Sequence, residues 1–296
     1  WSAAALADAP RLERLAASLG RASRGPAARA ELLAWRGELL RKLGRPKEAR
    51  ALLETALARD PAHAPASAWK GEALRDLSRA AEARAALAAA AAALPEPWVL
   101  ALEARAWTTF TPAHLEKALG LLDRALAVEP RSAWVRSWKG EVLRRLKRWD
   151  EAAAELTWAA ENGAPVGWTV TVLAETERKR GDFKRAAELL DFAERADARW
   201  PWVHVTRSEL ARKRRRYEEA IACLRRAVAA SGGAAWSYAL LGRAQAVYRY
   251  KKEGLANLDR ALRLDPLMGW AWGWRGEVRR RFGRGAEARA DFDRCL

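Results

Sequence analysis

The sequence predicts an all-α chain, a solenoid of stacked helix pairs, and three observations carry that prediction. A phrase of the form Trp-Arg/Lys-Gly-Glu stands at residues 35–38 and returns at 69–72, 138–141 and 274–277. Its glycines, Gly37, Gly71, Gly140 and Gly276, fall on a thirty-four-residue step that also lands on Ala174, Ser208 and Gly242, all small. One extra residue near Pro95 and Pro97 puts the third unit's small residue at Ala106. Composition agrees: Ala, Leu, Arg and Glu dominate, and no strand-like alternation of Val, Ile and Thr is visible. A period of this length means a repeat array, so any function has to be argued for the array.

With the small residue numbered as position 8 of each unit, three further columns line up. Position 20 is Ala49, Ala83, Ala118, Ala152, Ala186, Ala220, Gly254 and Ala288. Position 24 is Leu53, Leu87, Leu122, Leu156, Leu190, Leu224, Leu258 and Phe292, and position 27 is alanine down to Ala261 and then Cys295. Small residues on two helices let their backbones approach, and the large residue at position 24 fills the space beside the contact.

These columns resemble the tetratricopeptide repeat family, over about residues 30 to 296. The family's proline near position 32 is matched by Pro61, Pro95, Pro130 and Pro266, with Pro165 and Pro201 slightly displaced. The resemblance implies a right-handed superhelix that binds extended peptides on its concave side. One column departs from the family: the usual apolar position 7 is Arg36, Lys70, Arg105, Lys139, Arg207 or Arg275, and only Leu173 and Leu241 keep it. Long cationic stems can cover apolar surface with their heads in water, so looser or rotated packing is expected there.

In chain order, residues 1–29 fit a degraded repeat, with a first helix ending near Asp8 and a second from Arg11 to Arg21 turning Leu12, Leu15 and Leu19 inward. Gly25 and Pro26 break it. Eight repeats follow, at about 30–63, 64–98, 99–132, 133–166, 167–200, 201–234, 235–268 and 269–296. The third departs, with Trp107 and Phe110 in place of charges and a turn without glycine. The seventh has Arg243 where Glu is usual, and the turn Tyr248, Arg249, Tyr250, Lys251, Lys252. No low-complexity linker interrupts them, so one continuous domain is expected. The chain starts without Met and stops inside a second helix, and reads as the ordered part of something longer.

Positions 2, 6, 9, 12 and 13 of a first helix share one stripe. Position 2 is Trp134, Trp168, Trp202, Trp236 and Trp270; position 6 adds Trp35, Trp69, Trp138 and Trp274. Position 9 is Glu38, Glu72, Glu141, Glu175, Glu209 and Glu277, and position 12 in the same units is Arg41, Arg75, Arg144, Arg178, Arg212 and Arg280. Two readings of the charges stand open: same-helix pairs worth about 0.2–0.5 kcal/mol each, or a ladder for a ligand. The tryptophans are inter-repeat mortar or a stacking platform. Selectivity is expected at Trp107 and Phe110, an apolar interruption beside Leu100 and Ala104, against a reading of local repacking. The turn at Tyr248 is read as a solvated loop or as a contact for an acidic partner.

The formal net charge of +17 invites a polyanion reading, but 43 of the 54 basic residues are Arg amid heavy Ala use, a pattern that GC-rich coding also produces. The six stripe carboxylates would repel phosphate backbones, which disfavours a nucleic-acid track. Cys223 and Cys295 are expected as buried reduced thiols, which fits a cytoplasmic setting. The longest apolar run, residues 85–94, is too short to span a membrane. His63, His114 and His204 fall at unrelated repeat positions, and no metal-ligand spacing, phosphate loop or nucleophile motif is present. The expectation is a protein without catalytic activity, cofactor, metal or membrane partner, acting as a scaffold for an extended acidic or mixed-charge protein segment. The alternatives are a polyanion such as RNA, or self-assembly through the solenoid ends.

Overall fold

A computed structural model describes residues 9–22, 29–108, 111–197, 200–248 and 250–295. The expectations for residues 1–8, for the break at Gly25 and Pro26, and for Phe110 and Arg249 lie outside the described residues. Within them every element is helical. The chain falls into two compact units, Trp1–Pro165 and Val166–Leu296.

The first unit holds α1 (Ala9–Ala22), followed by four antiparallel pairs: α2 (Ala30–Lys42) with α3 (Pro46–Arg59), α4 (Ala64–Asp76) with α5 (Ala80–Ala93), α6 (Pro97–Trp107) with α7 (Pro112–Val128), and α8 (Ala133–Arg145) with α9 (Trp149–Glu161). The second unit has four more: α10 (Val166–Arg180) with α11 (Phe183–Ala196), α12 (Pro201–Lys213) with α13 (Tyr217–Ala230), α14 (Ala235–Val247) with α15 (Lys251–Leu264), and α16 (Gly269–Arg281) with α17 (Gly285–Asp293).

The small-residue columns explain how each pair closes. A Cβ on Gly37 would sit 2.7 Å from Leu53 Cγ, and one on Gly71 2.5 Å from Leu87 Cγ. Leu53 and Leu87 are fully buried, each stabilising its pair by about 1.5–3 kcal/mol. The pair α14 and α15 goes further. There Gly242 faces Gly254, and a Cβ on either would come within 2.7 Å of the opposite main chain. In six of the pairs, among the described residues, the chain turns through a left-handed residue, which glycine supplies at Gly44, Gly181 and Gly283. At the same position Ser78, Lys147 and Arg215 hold φ of 61°, 63° and 59° despite their side chains.

Three expectations are corrected. Leu15 is 48% exposed, because the inward face of α1 is Leu12, Ala16 and Leu19, with Ala16 buried. Cys295 is exposed while Cys223 is buried, since α17 ends at Asp293 and position 27 of that repeat lies past the helix. In the third repeat Leu100 and Ala104 are buried in the apolar core of the first unit, so these two are not part of an open apolar interruption.

Four of the cations at position 7, Arg105, Lys139, Arg207 and Arg275, are engaged in ion pairs. Lys139 bridges Asp123 of the preceding repeat (2.9 Å) and Glu155 of its own (3.1 Å). Arg207 reaches Asp191 at 2.8 Å, and Arg275 joins Asp259 (2.7 Å) to Asp291 (2.6 Å) in the same manner. Lys139 and Arg275 thereby tie one second helix to the next, and Arg207 ties its own first helix to the second helix before it. Their signal in the sequence was an acid at position 25 of the repeat before.

Candidate functional site

The stripe of the first helices is built from one helical turn repeated. A Glu at position 9 and an Arg at position 12 lie on one face, and the Arg falls in the last turn, where it also meets the negative end of the helix dipole. In the first unit Glu38 accepts from Arg41 Nε at 2.7 Å, and Glu141 accepts from Arg144 (2.7 Å) and Arg145 (2.6 Å). Glu72 pairs with Arg75 and, across to the next repeat, with Arg105, both at 3.1 Å. Arg41 meanwhile reaches Asp76 at 3.0 Å. Burial pushes the Glu72 carboxyl up, but Arg105, Arg75 and Arg41 together outweigh it and hold it below the usual carboxylate range. Burial likewise opposes Arg144 and Arg145 at Glu141, and the arginines prevail. The side chains of Glu38, Glu72 and Glu141 are only 8%, 2% and 6% exposed.

In the second unit the carboxylates of the same pairs are more exposed, although Arg178 itself is buried. Glu175, Glu209 and Glu277 are 33%, 43% and 37% exposed, and meet Arg178, Arg212 and Arg280 at 3.7, 2.6 and 2.9 Å. In α10 the buried carboxylate is Glu177, paired with Arg180 at 2.8 Å. Hydrogen bonds from Arg280 and Arg281 lower Glu277 to about 2. Arg243 breaks the series. Its guanidinium lies over the Trp274 ring at 4.4 Å, and among the described residues no carboxylate pairs with it.

The tryptophans divide into mortar and lining. Trp202 and Trp236 stack in parallel at 4.8 Å, and Trp270 meets Trp274 edge-on at 4.5 Å. Trp134 packs on the core of the first unit, Trp138 lies under Arg105, and Trp168 is half-buried. Trp107, expected at a docking site, carries Lys117 and Arg84 on its ring and donates to Glu103 at 3.3 Å. Tyr248 stacks on Tyr217 at 4.3 Å, and Tyr250 donates to Glu218, so that turn is seated on α13.

Three grooves lie on the stripe. In the first unit one of about 460 Å³ is bounded by Trp35, Trp69, Trp98, Glu31, Glu38 and Lys42. In the second unit one of about 330 Å³ runs past Glu209, Arg212, Arg243, Val247 and Tyr248. Its neighbour of about 170 Å³ takes in Arg243, Lys251, Trp274, Glu277, Arg281 and Phe282. Thus Trp35, Glu38 and Trp69 are brought together, as are Glu209, Arg212, Arg243, Trp274 and Glu277. Arg75, Arg144 and Arg178 serve ion pairs along their own helices. The grooves add Glu31, Trp98 and Lys251, which a search for identical columns passes over. The signal for Glu31 was its place at position 2, where other repeats carry Trp.

Among the described residues no group of three His, Cys, Asp or Glu could hold a metal ion, and no helix is long and apolar enough to cross a membrane.

Paired helices closed by small residues, with open grooves along one repeated stripe, define a helical-repeat protein of the interaction type. A tetratricopeptide repeat family profile matches residues 36–96, 113–165 and 251–296, more than half of the chain, and the chain belongs to that family. Its fold is that of tetratricopeptide repeat structures. A tetratricopeptide repeat protein from Parabacteroides merdae is similar over 84% of this chain and 98% of its own, at 17% identity and a TM-score of 0.65. Yeast Tom70 is similar over 92% of this chain and 61% of its own, at 14% identity and a TM-score of 0.71. The human IFIT1 dimer solved with PPP-AAAA is similar over 96% of this chain and 71% of its own, at 14% identity and a TM-score of 0.58. No curated protein matches at the level of sequence. The family is in general one of non-catalytic scaffolds that bind other proteins.

Proposed function

We infer that this chain is a non-catalytic scaffold holding an extended, acidic or mixed-charge segment of a partner protein against its first-helix stripe. The observation that carries the reading is Arg243. In six repeats a carboxylate at position 9 neutralises the arginine three residues on, whereas at Arg243 the sign is reversed. The two grooves that share Arg243 have apolar walls, from Val205, Leu240 and Val247 to Val278 and Phe282. An extended segment can set an Asp or Glu against the guanidinium as a charge-assisted hydrogen bond and lay neighbouring apolar side chains along those walls.

The test is peptide display against the purified protein. Acidic and mixed-charge sequences are expected to enrich, and Arg243→Glu, which restores the sign of the other repeats, weakens the best of them at least tenfold, in keeping with about 2–5 kcal/mol for a lost charge partner. Enrichment of basic peptides alone, or equal binding by the variant, overturns the reading.

A polyanion reading is favoured by the charge of +17 and by the likeness to a protein solved with PPP-AAAA. Against it, most stripe arginines are already matched by carboxylates. A steep fall of affinity for single-stranded oligonucleotide with salt, spanning several phosphates, would support it over the peptide reading.

A further inference from the structure

The geometry points to a second, oppositely charged subsite: the tryptophan groove of the first unit takes the cationic side chain of an arginine from the partner segment. This rests on the scaffold reading and turns "acidic or mixed-charge" into mixed-charge. The chain's own packing indicates which chemistry the indoles at position 6 accept. Arg105 covers Trp138 at 4.7 Å and Arg243 covers Trp274 at 4.4 Å, each supplied by the preceding helix pair. Trp35 and Trp69 hold the equivalent position in the first two repeats, and among the described residues no cation lies over either ring.

Those two rings and Trp98 instead form a stair, with centroids 4.7 Å and then 6.5 Å apart and tilts of 51° and 34°. Trp35 is 48% exposed. Trp98 uses its edge to donate to Glu96 at 2.6 Å, which leaves its face to the groove.

The charges of the lining agree. Glu38 is spent on Arg41 and on Lys42, whose Nζ lies 3.6 Å away. The His63 ring caps α4 by accepting from the backbone N–H of Ala66 at 3.0 Å. Glu31 remains, one helical turn before Trp35 on the same face, exposed, with neither hydrogen bond nor ion pair among the described residues. A carboxylate beside uncovered indole faces is a place for a cation, and a planar guanidinium can stack on a ring while donating to the carboxylate.

The probe is Nα-acetyl-arginine amide, followed by NMR of the indole N–H signals. Its neutral isostere, the citrulline amide, is the control. Expected are saturable shifts of the Trp35, Trp69 and Trp98 signals in the millimolar range, absent with citrulline. Glu31→Gln, an exposed change that leaves the fold intact, should weaken the arginine response about threefold, the scale of an exposed ion pair. Trp35→Leu should abolish it. Equal shifts with citrulline, or no saturable shift of these indoles, overturn the subsite. The readout avoids Arg243, so a failed peptide display with a positive arginine titration would sink the scaffold reading while leaving the subsite. The reverse pair of results would do the opposite.

Discussion

The two units carry the same Glu-to-Arg step on their first helices and use it differently. In the first unit the carboxylates of Glu72 and Glu141 are out of water, and Glu72 answers an arginine of the next repeat as well as its own. In the second unit Glu209 and Glu277 each pair within one helix and stay more than a third exposed. A buried carboxylate with a partner on the next helix holds repeats together; an exposed one on its own helix leaves the surface available. Neighbours differ too: Arg105 of the next repeat reaches Glu72, and Asp76 reaches Arg41 of the repeat before, while the seventh repeat has the apolar Ala246 and Val247 at the positions of the paired arginines.

The largest expected consequence is in stability. Glu72→Gln strands Arg105, which is only 20% exposed and itself sits on Trp138, and should cost about 3–5 kcal/mol of the first unit's stability. Glu209→Gln should cost well under about 1 kcal/mol. Urea unfolding of both variants, with hydrogen exchange to assign the loss to a unit, checks the pair. Equal losses would erase the distinction.

Acid should sharpen it. The carboxyls of Glu72, Glu141 and Glu277 are all lowered in the folded chain, so the stability they supply is present above the unfolded carboxylate value of about 4.3 and is lost as pH falls towards their folded values. Because Glu277 is exposed, added salt should screen its share, and the acid sensitivity of α16 should fade. That of α4 and α8 should persist. Amide exchange between pH 5 and pH 2 at low and high salt reads both.

The smallest expected effect is a gain. Lys147 and Arg215 hold the left-handed turn position that glycine fills at Gly44 and Gly283, and relieving that strain by Lys147→Gly or Arg215→Gly should stabilise by about 0.5–1 kcal/mol. Thermal melts of the single variants suffice, and a loss of stability in both would mean the side chains do more than endure the turn.

The repeat columns made the fold legible because close helix packing allows few residue types at positions 8, 20 and 24. The Glu-to-Arg spacing likewise announced its same-helix pairs. What each carboxylate or indole faces from the neighbouring helix pair was not legible, since that depends on residues some thirty positions away. Trp107 is the clearest case. Its place in the irregular third repeat read as a docking site, yet Arg84 and Lys117, on flanking helices, already cover it. The strained turns at Lys147 and Arg215 were hidden for a simpler reason: no glycine marked them.

Where Gly242 faces Gly254, two main chains meet with no side chain between them. Such a seam has few rotamers to reshuffle, and sliding it by one turn would bring a larger side chain against the opposite helix's main chain. The pair that carries Arg243 is therefore held in register chiefly by shape, with Asn257 donating to Gln245 at 2.6 Å and Arg260 lying over the Tyr238 ring at 4.3 Å beside the seam.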